Sequence, residues 1–421
     1  MIRYYINWNI KHKVGMDLIN RLWTKDFICV CATNFFMILN YYYLLVTLPI
    51  YLIEDLQGPK SQAGLIVTVF FIAAIIVRPF AGQWIFSFGI KKVFRGALII
   101  YLVSSLLYFF ATSLSSLLFL RILHGIGFGM ITTTAGTIVA NIVPEKRKGE
   151  GMGYYGLMIN ISMAIGPFLG LTAMYNWGIG TMFTISLASV ILGTFTGLFI
   201  SLPKEDKKDK KNNTKKKGID LDHLFERSAL RISFVGLFFA LIYSSIISFV
   251  SVYADDIQLS DIASYFFIVY AIVLILTRPF TGRIFDRYGA NIIMYPAILF
   301  FAIGMLTLSQ ATNAFLFLLS AACIGLGWGT IFPSSQTIAV QLAHSSRRGV
   351  ATATFLSTLD IGIGIGSLIV GFIGADIGYS ALYFYFSILG LLGIFVYYFL
   401  HGKTSRKKKI FEKEHEYAQN N

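Results

Sequence analysis

Twelve apolar stretches of roughly 20 residues limit this chain to very few folds, because that is the length a helix needs to cross a bilayer core. They fall at 27–52, 62–86, 95–113, 115–140, 150–173 and 178–201, and then at 232–254, 261–285, 292–311, 314–341, 347–371 and 379–400. In lipid every backbone donor and acceptor must be satisfied inside the segment, so such runs cross as helices. Only 13% of the residues are charged, against about 25% in soluble globular proteins. The pattern predicts an all-α integral membrane protein of twelve transmembrane helices, six on each side of one long polar stretch.

The two halves repeat one another. Arg78-Pro79-Phe80-Ala81-Gly82 returns 200 residues later as Arg278-Pro279-Phe280-Thr281-Gly282. The same offset relates Gly89 to Gly289, Gly125, Gly127 and Gly129 to Gly325, Gly327 and Gly329, Gly149 to Gly349, and Gly166 to Gly366. A constant offset over so many positions means two copies of one unit. It divides the chain into an amino-terminal arm at 1–26, a six-helix bundle at 27–201, a basic linker at 202–231, a second bundle at 232–400 and a tail at 401–421.

Charge placement orients the helices. One set of loops holds Lys91, Lys92 and Arg95, then Lys146, Arg147 and Lys148, the lysine-rich linker, Arg283 and Arg287, and Arg347 and Arg348. The alternate loops are acidic, with Glu54, Asp55, Asp255, Asp256, Asp261 and Asp376, and Lys60 is their one base. Basic residues stay on the cytoplasmic side, which predicts a multi-pass protein of the cytoplasmic membrane with both termini inside. Residues 1–26 read as a cytoplasmic arm, with no cleavable signal segment expected. The linker lysines read as a solvated segment and not as a nucleic-acid site, and Asp220 to Arg227 reads as a short interfacial helix. Cys29, Cys31 and Cys323 lie in apolar runs and have neither disulfide nor metal-ligand spacing.

The acidic-side loops are too short for an extramembrane active site, so chemistry belongs to the polar residues inside the spans. An ionised group near the bilayer centre costs roughly 2.5–3.5 kcal/mol and faces the bundle interior or a water-filled cavity. The candidates are Arg78, Arg121, His124, Arg278 and Asp360. Arg78 and Arg278 are close enough to the basic ends of the second and eighth runs to snorkel; Pro79 and Pro279 should kink those helices, and Gly82 and Gly282 should permit close helix packing. Arg121 has Ala321 as its twin, so the repeat does not need it for folding, and it is a candidate for ordering backbone carbonyls of the first run, holding a proton acceptor or meeting an anionic group of a substrate. His124 shares its helix face, and an imidazole titrates near pH ~6.5; proton exchange and simple packing are the two readings of it. Asp360 is the one carboxylate deep in any run, and its twin is the neutral Asn160.

These features resemble the major facilitator superfamily over nearly the whole chain. Gly282-Arg283-Ile284-Phe285-Asp286-Arg287-Tyr288-Gly289 is similar to that family's loop after the second helix, whereas the first copy keeps Gly82 and Gly89 but has Phe86 and Ser87 for Asp and Arg. The resemblance implies two six-helix bundles related by an axis along the membrane normal, with Asp286 helping to hold them together. Arg121, Gly125 and Gly127 resemble the motif of proton-coupled members. Gly153, Gly166, Pro167 and Gly170 resemble the helix-5 pattern of drug–proton antiporters, although Ser162 and Leu171 stand where that pattern has glycine. Gly166 and Pro167 should permit a kink and close contact with the opposite bundle. By analogy, Asn34, Asn40, Tyr41, Thr133, Asn160, Tyr243 and Gln336 are candidates for lining a substrate cavity.

The resulting expectation is a proton-coupled secondary transporter, not an enzyme, that exports small amphipathic molecules. It should be monomeric and embedded in lipid, with protons and a small molecule as partners and no cofactor or metal. Asp360, Arg121 and His124 are the proton-coupling candidates, with Arg121 acting on the acid. Alternatives of the same fold are a proton-symport importer, an exporter of a peptide-like or metal-chelating metabolite, and a lipid flippase. A polytopic enzyme would need paired acids or a nucleophile, and the chain shows no such constellation.

Overall fold

The computed structural model describes residues 22–144, 147–201, 225–344 and 347–403. The helices are α1 (Lys25–Glu54), α2 (Lys60–Phe88), α3 (Ile90–Leu107) and α4 (Leu114–Ile142). A continuous helical segment, Lys148–Leu198, turns sharply at Gly178 and forms two spans, α5 (148–177) and α6 (179–198). The second half follows with α7 (Arg227–Asp256), α8 (Ser260–Tyr288), α9 (Ala290–Ser309), α10 (Ala314–Leu342), α11 (Arg348–Ile377) and α12 (Tyr379–Tyr397). The amino-terminal arm, most of the linker and the tail lie outside the described residues. Of the expected interfacial helix at 220–227, the described part is not helical at Glu226, whose extended backbone and carboxylate cap the start of α7 instead. All three cysteines are free.

The 200-residue offset is also an offset in space. An added Cβ at Gly125 would lie 2.3 Å from the Phe70 carbonyl oxygen, and one at Gly325 would lie 2.9 Å from that of Tyr270. Gly127 faces Tyr101 as Gly327 faces Phe301, and Gly129 faces Ala74 as Gly329 faces Leu274. These glycines let α4 approach α2 and α3, and α10 approach α8 and α9, at backbone contact, the device by which helices associate in lipid. The four glycines with positive φ form two further pairs, Gly89 (89°) with Gly289 (86°) and Gly178 (77°) with Gly378 (82°). Each sits at a helix-to-helix junction in a conformation that strains a side chain bearing a Cβ.

Two sequence expectations about packing are corrected. Gly166 and Gly170 meet Leu39, Tyr42, Tyr43 and Thr47 of α1 in their own bundle, not the opposite bundle. Their repeat counterpart behaves alike, since Gly366 packs on Leu241 and Ser244 of α7. Gly82 and Gly282 have nothing within 4 Å of a Cβ position and serve no close packing, because the faces of α2 and α8 that carry them are open at that level. Pro79 lies inside α2, which continues to Phe88.

The bundles meet through α2 with α11, α5 with α8, and α1 with α7. Some polar residues tie the helices of one bundle together. Asn40 is fully buried, donates to the Ser186 carbonyl (3.0 Å) and Oγ (2.7 Å) on α6, and accepts from the Tyr101 hydroxyl on α3 at 3.1 Å.

Candidate functional site

The α2–α11 seam is the most closely packed contact between the bundles. At the end with the acidic loops, a Cβ on Gly64 would fall 2.1 Å from the Ser367 carbonyl oxygen, and one on Gly371 would fall 3.0 Å from the Gly64 nitrogen. Further along, the Thr68 hydroxyl donates to the Gly364 carbonyl at 2.7 Å, and Gly364 meets the Phe71 side chain. Gly362 and Gly366, one turn apart, point instead at α7, so one glycine-rich stretch serves two partner helices. At the acidic end Lys60 of α2 pairs with Asp256 of α7, a bond between bundles whose side chains remain about a third exposed.

Towards the basic end the seam finishes in a charge pair. Arg78 Nη2 lies 2.6 Å from Asp360 Oδ2, with the two side chains only 18% and 13% exposed. Arg78 Nη1 also reaches the Ser357 hydroxyl at 3.4 Å. Each residue belongs to a different bundle, and beyond them Gly82 faces open space and Phe86 is 60% exposed. The pair therefore occupies the last contact before the two helices part. Arg78 does not snorkel, and Asp360 has Arg78 rather than Arg121 as its partner. Isolated charges at this depth are costly, and a pair of opposite sign offsets part of that cost.

Arg121 and His124 form a separate cluster inside the first bundle. Arg121 is fully buried; its Nε donates to the Ile66 carbonyl of α2 at 3.0 Å, so the carbonyl it orders belongs to the second helix and not the first. Its guanidinium lies 4.1 Å from the Phe70 ring centroid, an arrangement in which the ring face attracts the cation. His124 Nδ1 is 3.2 Å from the Tyr108 hydroxyl, and the Tyr101 ring centroid is 4.0 Å away. The ring is fully buried, with aromatic groups around it and an arginine on its own helix face.

The cavity candidates divide. Asn34 accepts from the Tyr155 hydroxyl at 3.0 Å and Asn40 is used up as described, so both tie helices together. The buried Tyr41 stacks on Phe70 and Phe128; Tyr243 stacks on Trp328 with 4.3 Å between centroids. Thr133 donates back to the Gly129 carbonyl at 2.7 Å, and Gln336 is half-buried. The side chains of Asn160 and Asp286 lie outside the described residues, and Arg287 is exposed beside Tyr288. A cleft of about 330 Å³ opens at the basic end between α5 and α8, lined by Glu150, Gly153, Tyr154, Leu157 and Arg278. Among the described residues no group of His, Cys, Asp and Glu is placed to hold a metal ion.

Sequence reasoning missed the roles of Thr68, Phe71 and Gly364 and the Lys60–Asp256 bond. Two signals were available: Lys60 as the sole base among acidic loops, and the alternating glycines at 362, 364 and 366.

Comparison with known proteins fits this geometry. The family model described as Major Facilitator Superfamily matches residues 30–358 and 263–419. The chain is 26% identical to the uncharacterized MFS-type transporter MJ1560 of Methanocaldococcus jannaschii, over 89% of this chain and 97% of the relative. It is 22% identical to the staphylopine export protein of Staphylococcus aureus (84% and 90% covered), and 27% identical to multidrug resistance protein 2 of Bacillus subtilis (70% and 76%). In fold it is similar to the crystal structure of the nucleoside transporter NupG, with a TM-score of 0.67 at 14% identity over 89% of this chain and 99% of that one.

Proposed function

Because the chain belongs to the major facilitator superfamily, and is thus a multi-pass secondary transporter and not an enzyme, we propose that it is a proton-coupled exporter of small amphipathic molecules working by alternating access. The export direction follows relatives named for staphylopine export and multidrug resistance. With the basic loops on the cytoplasmic side, the zipped α2–α11 seam closes the outside and the α5–α8 cleft opens inward.

The observation that carries the coupling is the Arg78–Asp360 pair at the last contact of the seam. A proton on Asp360 and an ion pair with Arg78 exclude one another. In the outward-open form a proton arriving from outside neutralises Asp360, and the carrier returns with the guanidinium unpaired. Release of that proton to the cytoplasm restores the carboxylate, the pair re-forms, and the inward-open state is held while substrate enters. A ligand shifts such an equilibrium only by its differential affinity for the two states, and the proton has one because only one state offers Asp360 a cation.

Inverted membrane vesicles test this with a panel of fluorescent amphipathic compounds. An acid-inside gradient should drive accumulation, an ionophore should abolish it, and Asp360→Asn should uncouple transport from the gradient. Ionophore-insensitive accumulation, or normal coupled transport by Asp360→Asn, would remove the proposal.

A further inference from the structure

Arg278 is the repeat twin of Arg78, 200 residues on, yet the two guanidiniums are in different situations. Arg78 has Asp360 at 2.6 Å. Arg278 has no carboxylate within ion-pair distance among the described residues, and the position equivalent to Asp360 is Asn160, which carries no charge. The second seam, α5 against α8, is the repeat counterpart of the first, is less closely packed, and lacks a counter-charge to Arg278 among the described residues. Arg278 is partly buried, so water does not fully solvate it, and a guanidinium at that depth favours an anionic partner.

It lines the open, shallow cleft of about 330 Å³ at the basic end. The other walls are the Tyr154 ring, the Leu157 side chain and the bare backbone of Gly153. The one acid there, Glu150, is already held by Arg147 through two 2.8 Å bonds, so its charge is matched and leaves that of Arg278 standing.

We infer that Arg278 is an anion-recognition residue of the transport path, and that its ligand is the carboxylate of an amphipathic substrate. The carboxylate takes at the α5–α8 seam the place Asp360 takes at the α2–α11 seam, with the apolar or aromatic part of the substrate along Tyr154 and Leu157. A planar guanidinium binds a carboxylate through two parallel bonds, which a neutral or cationic group cannot reproduce. The assignment rests on the transporter reading above, but not on its direction or its coupling ion.

Equilibrium binding by calorimetry to the full-length protein in nanodiscs tests it with naphthylacetate, naphthylacetamide and naphthylmethylammonium, which share an apolar body and differ in being anionic, neutral and cationic. The wild type should prefer naphthylacetate by about tenfold or more, the range expected for a hydrogen bond to a charged group. Arg278→Gln should erase that preference and Arg278→Lys keep part of it. Asn160→Asp, which supplies an internal carboxylate, should weaken naphthylacetate binding and spare naphthylacetamide. Failure of the wild type to prefer or to bind naphthylacetate overturns the assignment, as does a preference that survives in Arg278→Gln or stays full in Asn160→Asp. Should Arg278→Gln fail to fold, Asn160→Asp decides alone. Ionophore-insensitive export in inverted vesicles would instead strike the coupling proposal and leave the binding result intact.

Discussion

Breaking the Arg78–Asp360 pair should loosen the α2–α11 closure between the bundles by an amount that can be worked out. The contact is 2.6 Å between side chains that are 18% and 13% exposed. With charge spread over both groups, the charge centres are about 4 Å apart, and at an effective dielectric constant near 20 the attraction is about 4 kcal/mol. Removing one partner leaves the other charge buried and unmatched, a change that costs about 3–5 kcal/mol where it has been measured in proteins. At about 1.36 kcal/mol per factor of ten, 3 kcal/mol is roughly a 150-fold shift towards the opened seam. Thr68 is 7% exposed and points into that seam, its hydroxyl on the Gly364 carbonyl. In a background with Cys29, Cys31 and Cys323 replaced by alanine, a cysteine at Thr68 reports opening through its rate of labelling by a membrane-impermeant maleimide. Asp360→Asn and Arg78→Gln should each accelerate labelling by about a hundredfold, in line with that shift. The double variant should recover much of the protection, because neither lone charge remains. Labelling within twofold of the parent in both single variants, or strictly additive effects in the double, would refute the reasoning.

Other positions give sharper yes-or-no outcomes. Gly64→Val places a side chain 2.1 Å from the backbone oxygen of Ser367, which cannot swing aside, so α2 and α11 should be held apart, with maleimide labelling at Thr68→Cys near its ceiling and transport lost. Gly178→Ala forces a Cβ onto a φ of 77° and ψ of 175° and should cost about 1–3 kcal/mol, read as a lower melting temperature; Gly180→Ala, with nothing within 4 Å, should not lower it. At the basic end Glu226 accepts from Arg347 at 2.5 Å, and that bond, ahead of those from Ser228, holds the Glu226 carboxyl below the ordinary carboxylate range. A lowered folded-state pKa contributes stability that is present above the ordinary carboxylate value and is lost as the pH falls through the lowered one. Glu226→Gln should therefore flatten part of the acid limb of the thermal-stability profile, and an unchanged limb would show that the bond contributes nothing.

Which parts of this molecule were legible beforehand follows from what sequence patterns encode. Helix number and bundle pairing were written in run length and in the 200-residue offset, because spanning length and repeat register are properties of one chain segment at a time. Arg121, His124, Asp360 and Arg278 could be picked out as residues that do not belong in lipid. Which of them meet could not be read, since that depends on the rotation of each helix about its axis. Hence Asp360 was matched with Arg121 although α11 turns it to Arg78. Gly166 was assigned to the opposite bundle although it packs on Leu39 and Tyr42 of its own. Asn40 resembled a substrate contact until its bonds to Ser186 and Tyr101 were counted.

The repeat explains why the charged positions are unequal. Shared residues such as Gly125 and Gly325, or Gly89 and Gly289, hold identical junctions in both halves and cannot tell one seam from the other. A transporter that rocks between two states needs its seams to answer to different signals, for a carrier with two identical charge pairs would have both released by the same proton. Here one seam ends in an arginine with a carboxylate, and in the other the repeat counterpart of that carboxylate is an amide, Asn160. The first can be discharged by a proton. The second has no such anion among the described residues, so on the proposed reading an incoming ligand supplies one, and proton and substrate would act on opposite seams.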